Sequence, residues 1–226
     1  MKKLDNSNIW VALLGIVLGV LLAMVLMKAL PDKKFDGDYN RWRKLNLILQ
    51  EVLNQNHKML EFKNRTALIT GGGSGIGEAM AYQYAKKGAN VILTGRRSET
   101  LEKVQKNCIA MGVKAWCHTV DVEKPESIDE LVAWIVSEGH LIDFLFLNAG
   151  ISQRALTLET DISVDRRLME VNYFGGIYLV KALKEMFIER GVHIAVVSSV
   201  SGVFGFPVRS AYCASKHAIH GFYETI

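Results

Sequence analysis

The run from Arg65 to Thr70 (RTALIT) feeds directly into the glycine cluster GGGSGIG, residues 71 to 77, which opens onto EAMAYQYAKKG. A short apolar strand, a turn almost free of side chains and a helix in immediate succession are the opening of a βαβ unit, so this stretch commits the chain to an α/β fold with a parallel sheet. Glycines at 71, 75 and 77 let the backbone turn tightly and approach a ligand with no Cβ in the way. The first N–H groups of the following helix would then point at a pyrophosphate. The spacing is G-x-x-x-G-x-G, not the G-x-G-x-x-G of the general dinucleotide fingerprint.

Four further apolar runs read as strands: Asn90 to Thr94, Lys114 to Val120, Asp143 to Leu147 and His193 to Ser198. In a sheet of this kind ligands bind in the crevice outside the carboxyl ends of the strands. The second strand ends in Gly95-Arg96-Arg97, with no carboxylate to accept hydrogen bonds from a ribose 2′-hydroxyl. The forked donors of Arg96 suit a 2′-phosphate, which favours NADP(H) over NAD(H). The third strand delivers Asp121 to the adenine side of the crevice, and the fourth delivers Asn148-Ala149-Gly150.

Near the C-terminal end stands a group with chemistry of its own. Tyr212 and Lys216 are four residues apart, and Ser199 precedes the tyrosine by thirteen. On a helix, positions i and i+4 share a face. A phenol ionises near ~10, so proton transfer near neutral pH requires a lowering worth about 4 kcal/mol. A unit positive charge about 4 Å away, at an effective dielectric of about 20, supplies about 4 kcal/mol. The same spacing also occurs in solvated ion pairs, and it is the glycine turn elsewhere in the chain that gives it a catalytic meaning.

The N-terminus has a different composition. Residues 9–27 (IWVALLGIVLGVLLAMVLM) hold no charge, and nineteen residues are enough for a helix to cross about 30 Å of hydrocarbon. A cleaved signal peptide has a shorter apolar core, about 7–15 residues, and a small-x-small cleavage site that is missing here. Residues 1–30 therefore read as an uncleaved single-pass membrane anchor. Lys28, Lys33, Lys34, Arg41, Arg43 and Lys44 outnumber Lys2 and Lys3, which puts the following domain on the cytosolic side. Residues 31–62 form an amphipathic linker, with Trp42, Leu45, Ile48, Leu49, Val52, Leu53 and Leu60 near helical spacing. Either the membrane surface or the domain itself would receive its apolar face.

A net charge of +4 with no basic stripe interleaved with aromatics argues against nucleic acid as a partner. Three cysteines, none in C-x-x-C spacing, argue against a disulfide framework and a structural zinc. The six histidines fall without carboxylates at metal-ligand spacing, so no metal is expected.

Taken together, Thr70 to Gly77, Asn148 to Gly150 and Tyr212 to Lys216 resemble the T-G-x-x-x-G-[IL]-G, N-A-G and Y-x-x-x-K motifs of the short-chain dehydrogenase/reductase family. The resemblance spans Lys63 to Ile226. Its wording (GISQRALTLET, VNYFG, YCASKHAIHGF) and the anchor are most similar to the membrane-anchored member 7 subgroup, near the 11-beta-hydroxysteroid dehydrogenases. The resemblance implies a Rossmann-like, doubly wound parallel sheet over residues 63–226. It implies cofactor contacts from Thr70, Gly71, Gly73, Ser74, Gly75, Ile76, Gly77, Arg96, Asp121, Val122, Asn148, Ala149, Gly150, Tyr212 and Lys216. Tyr212 would exchange a proton with the substrate oxygen, and Ser199 would hydrogen-bond that oxygen. Lys216 would tune Tyr212 and hold the nicotinamide ribose, and Asn172 would hold a water relaying protons to Lys216. The implied reaction is hydride transfer between NADP(H) and a secondary alcohol or ketone of a small lipophilic substrate, steroid-, retinoid- or sphingoid-like, at the endoplasmic reticulum. Members of the family commonly form homodimers through the helix that carries the tyrosine.

The family fold usually has seven strands and five are legible here; its P-G segment and substrate loop would fall beyond Ile226. The expectation is a truncated form of a longer enzyme with little or no turnover as written, and turnover comparable to that of a full-length relative would overturn it. The alternative is a membrane-tethered dinucleotide-binding or interaction protein without catalysis.

Overall fold

The computed structural model describes residues 62–226. The anchor over 9–27 and the linker up to residue 61 lie outside the described residues. Among the described residues no helix is long and apolar enough to cross a membrane.

Five strands form one parallel sheet: β1 (Thr66–Thr70), β2 (Asn90–Gly95), β3 (Ala115–Thr119), β4 (Phe144–Leu147) and β5 (His193–Val196), in the order β3-β2-β1-β4-β5. Every expected strand is present, each within two residues of its expected ends. β1 and β4 are buried along their whole length and read as continuous apolar runs because both faces of the sheet are covered. Leu68, Ile92 and Leu145 are in register across β1, β2 and β4 and fully buried in one core. That core also takes Ile128, Leu131 and Ile135 from α3 (Pro125–Ser137), Ile177 and Leu179 from α5 (Gly175–Ala182), and Ile219 from α7 (Ser210–Tyr223). The alternate strand residues Ile69 and Leu93 are equally dry and face the side covered by α1 (Gly75–Lys86) and α2 (Ser98–Ala110). The sheet is thus doubly wound as expected.

Two short helices complete the connection from β4 to β5: α4 (Ile162–Met169), capped by the Asp161 carboxylate on Ser163 N at 2.8 Å, and α6 (Lys184–Arg190). The strand starts are also tied together. Asp143 accepts from Thr66 N at 3.0 Å and pairs with Arg190 at 3.3 Å. Phe62, assigned from sequence to the linker, stacks on Phe144 with ring centroids 5.1 Å apart and meets Tyr84 edge-on at 5.7 Å. Aromatic packing therefore places it in the folded unit, which runs from Phe62 to Ile226.

Candidate active site

The turn after β1 depends on its glycines. Gly71 has φ +65°, a left-handed conformation that a side chain disfavours. A Cβ on Gly77 would collide with the Gly71 carbonyl and lie 2.7 Å from Asn148 Nδ2, so the first turn of α1 is pressed against the loop. Ser74 caps that helix with an exposed side chain that makes no capping bond, and the helix's first N–H groups have no carbonyl ahead of them. A ring of amide donors open to solvent beside a glycine cradle fits a pyrophosphate.

Two of the expected cofactor residues have a different task. The Thr70 hydroxyl accepts from Asn148 N at 2.9 Å and from Ala149 N at 3.0 Å, and donates to Phe146 O at 3.5 Å. That uses its one donor and both lone pairs. Asn148 gives both amide hydrogens to the carbonyls of Thr70 and Gly71, at 3.1 and 3.2 Å. Thr70 and Asn148 are therefore struts that fix the turn against β4; the Thr70 hydroxyl and the Asn148 amide hydrogens are taken up inside the protein, and the Asn148 Oδ1 acceptor remains available. Gly73, Gly75 and Ile76 stay on the open side of the turn, Ile76 with 59% of its surface exposed. Arg96 is exposed just past β2, and Gly150 past β4. Asp121 turns its carboxylate back onto Glu123 N at 3.2 Å, and the Val122 backbone sits so close to Gly175 that a Cβ there would strike its carbonyl.

Asn172 lies in a π turn, Glu170–Phe174, between α4 and α5. Such a turn inserts one residue into a helix and recurs at functional sites. Its side chain is 7% exposed and fully engaged: Oδ1 accepts from Ile151 N at 2.8 Å, while Nδ2 donates to Ile151 O and to Ser215 Oγ, both at 3.0 Å. Ser215 in turn donates to Tyr212 O at 2.8 Å. The Asn172 amide hydrogens are thus spent on joining the segment after β4 to the helix that carries Tyr212. Asn172 and Lys216 nevertheless line one cavity of about 20 Å³, which exceeds the roughly 10–15 Å³ that a single water needs.

Lys216 is 5% exposed, with Nζ donating to Val197 O at 2.8 Å and lying 5.8 Å from the centroid of the Tyr212 ring. No carboxylate pairs with it among the described residues. Burial pushes its ammonium down from 10.5 to about 8. Ser199, beyond β5, accepts from Ser201 N at 3.1 Å, which leaves its O–H free to donate. Tyr212 and Lys216 therefore share one face of α7 as the spacing predicted, with Ser199 at the adjoining strand end. Sequence reasoning missed Ser215, although it sits inside the quoted motif, because a small hydroxyl between two catalytic candidates gives no pattern of its own. It also missed Arg209, whose Cζ lies 5.8 Å from the Tyr212 ring centroid. The three-residue spacing to Tyr212 was the available signal.

Residues 65–226 match the family described as short chain dehydrogenase. The chain belongs to that family. It is 36% identical over 231 aligned residues to a Drosophila melanogaster protein named dehydrogenase/reductase SDR family protein 7-like, covering all of this chain and 66% of the relative, in keeping with the subgroup resemblance. Among solved structures, an NAD+-bound xylitol dehydrogenase superposes with a TM-score of 0.68 at 31% identity, covering 72% of this chain and 63% of that one. An alcohol dehydrogenase from the archaeon Thermococcus sibiricus, complexed with 5-hydroxy-NADP, gives 0.69 at 27%, covering 72% and 70%. The chain spans about two thirds of the length of these proteins.

Proposed function

We propose that the protein is an NADP(H)-dependent oxidoreductase acting on a secondary alcohol or ketone of a lipophilic substrate. The observation that carries this reading is the buried Lys216 ammonium, without a counter-ion among the described residues, lying over the ring of Tyr212 and lining one cavity with Thr70 and Ala149 at the strand ends. A buried charge that is not neutralised by a partner is costly to stability, and such groups cluster where chemistry needs them.

When bound, the nicotinamide supplies or takes the hydride. In reduction, the Tyr212 phenol gives its proton to the carbonyl oxygen while the Ser199 hydroxyl donates to that same oxygen and stabilises the charge that develops there. Lys216 favours the ionised phenol after transfer, and its two remaining N–H donors are available to ribose hydroxyls. Asn172 and Ser215 hold the backbone of Tyr212 in place. Support for NADP(H) comes from Arg96 at a strand end that lacks a carboxylate. Support for a lipophilic substrate comes from Val203, Phe204 and Phe206, all exposed on the loop that joins Ser199 to Tyr212. The charge-free run over residues 9–27 supports a membrane address, at the endoplasmic reticulum.

Tyr212→Phe tests the reading. Whatever carbonyl reduction the chain as written carries out should fall by about 10²–10⁴-fold, with NADPH binding by calorimetry unchanged. Failure of the unaltered protein to bind NADPH, or turnover that survives the substitution, refutes it.

A further inference from the structure

Beside Tyr212 stands a cation that this reaction does not use. Arg209 immediately precedes α7, and its guanidinium stacks over Tyr212 with Cζ 5.8 Å from the ring centroid. It is held there from two sides. Its Nη1 donates to Ser152 Oγ, on the segment that follows Gly150. The residue before it, Val208, has φ +59°, a left-handed conformation that is a rare outlier for a β-branched side chain. Ala155 N donates to Val208 O at 3.0 Å and locks that conformation. Backbone strain of this kind persists where surrounding structure over-determines it, and here it aims a guanidinium at the reacting phenol.

Among the described residues no carboxylate pairs with Arg209. A guanidinium presents five N–H donors in a planar fork, and Ser152 takes one. The neighbouring loop offers apolar surface, with Phe204 62% and Phe206 45% exposed and Phe206 N bonded to Cys213 Sγ beside Tyr212.

We infer that Arg209 recognises an anionic group on the substrate, so that the substrate class is an apolar molecule bearing a carboxylate as well as the reacting hydroxyl or carbonyl. A single cation balances a monoanion, and the fork matches two carboxylate oxygens. A phosphate monoester carries up to about two negative charges at neutral pH and calls for more donors than one guanidinium has left. The same charge repels an ammonium, so sphingoid bases are excluded from the class. The reaction itself rests on the function proposed above, but recognition of the anion does not.

The test therefore reads binding first. A saturated long-chain carboxylate, its methyl ester and the matching alkyl phosphate, none with a reducible carbonyl, are titrated calorimetrically into the purified protein with NADPH present and absent. The acid should bind at least about 10-fold tighter than the ester, as charge-assisted hydrogen bonds outweigh neutral ones. Arg209→Gln should erase that difference by weakening the acid alone, and Arg209→Lys should keep part of it. Equal binding of acid and ester, a preference that survives Arg209→Gln, or tighter binding of the alkyl phosphate overturns the inference. A second arm offers a long-chain keto acid and its methyl ester for reduction. Arg209-dependent binding with neither compound reduced refutes the reaction and upholds the anion site. Reduction of both at equal kcat/KM, with no dependence on Arg209, does the reverse.

Discussion

Replacing Lys216 by methionine should make the protein more stable and inactive. Folding carries the ammonium from water to a position 5% exposed, where Val197 O is its one hydrogen-bond partner among the described residues. Its pKa falls from 10.5 to about 8 as a result. A difference of about 2.5 pH units at ~1.36 kcal/mol each is roughly 3 kcal/mol that the folded state loses by keeping the charge at pH 7. An unbranched thioether of similar length removes that cost. Against it stands the Val197 carbonyl, left without its donor at a cost of about 1–3 kcal/mol. The net gain is on the order of 1 kcal/mol, against the roughly 5–15 kcal/mol that separates folded from unfolded domains. The pH dependence has a definite sign. Between about pH 8 and 10.5 the unfolded chain holds a proton that the folded one has released, so this lysine makes wild-type stability rise with pH across that window. Urea denaturation of both proteins from pH 7 to 10 reads the comparison. The difference should be largest at pH 7 and close as the pH rises. A variant less stable than wild type at pH 7, with the same alkaline slope, would show that burial of this ammonium is not the penalty described.

Gly77→Ala puts a methyl group against the Gly71 carbonyl and Asn148 Nδ2; overpacking of that kind costs about 1–3 kcal/mol, and calorimetry should find NADPH affinity down at least tenfold by displacement of the turn. Asn172→Leu strands the N–H and C=O of Ile151 together with Ser215, a loss of about 2–4 kcal/mol from unsatisfied buried groups that a lowered Tm reports. Asn172→Asp, which keeps the acceptor for Ile151 N, should fall between Leu and wild type. The pH profile of kcat should decline as pH rises through about 8, where Lys216 loses its proton, and a flat profile to pH 10 would count against its role.

The five strands were legible because a parallel sheet covered on both faces needs apolar segments, and ALI within RTALIT and FLFL after Asp143 are such segments. The glycine turn was legible from composition alone. The roles of Thr70 and Asn148 were not, because whether a threonine at a strand end faces a ligand or a neighbouring strand depends on a partner 78 residues away. The resemblance singled out Asn172 within VNYFG, but the residue types of that stretch give no sign of the extra residue of the π turn. Arg209 escaped for a similar reason: its aim is set by the conformation of Val208, and a valine gives no sign in sequence that its φ will be positive.

The position of β1 between β2 and β4 governs how this protein must emerge during synthesis. The bond from Thr66 N to the Asp143 carboxylate spans 77 residues. At about 5–20 residues per second, roughly 4–15 s pass between extrusion of the two partners. Throughout that interval the flank of β1 that later pairs with β4 is open. A nascent chain with such an exposed edge needs a chaperone at the exit tunnel more than the finished molecule ever does.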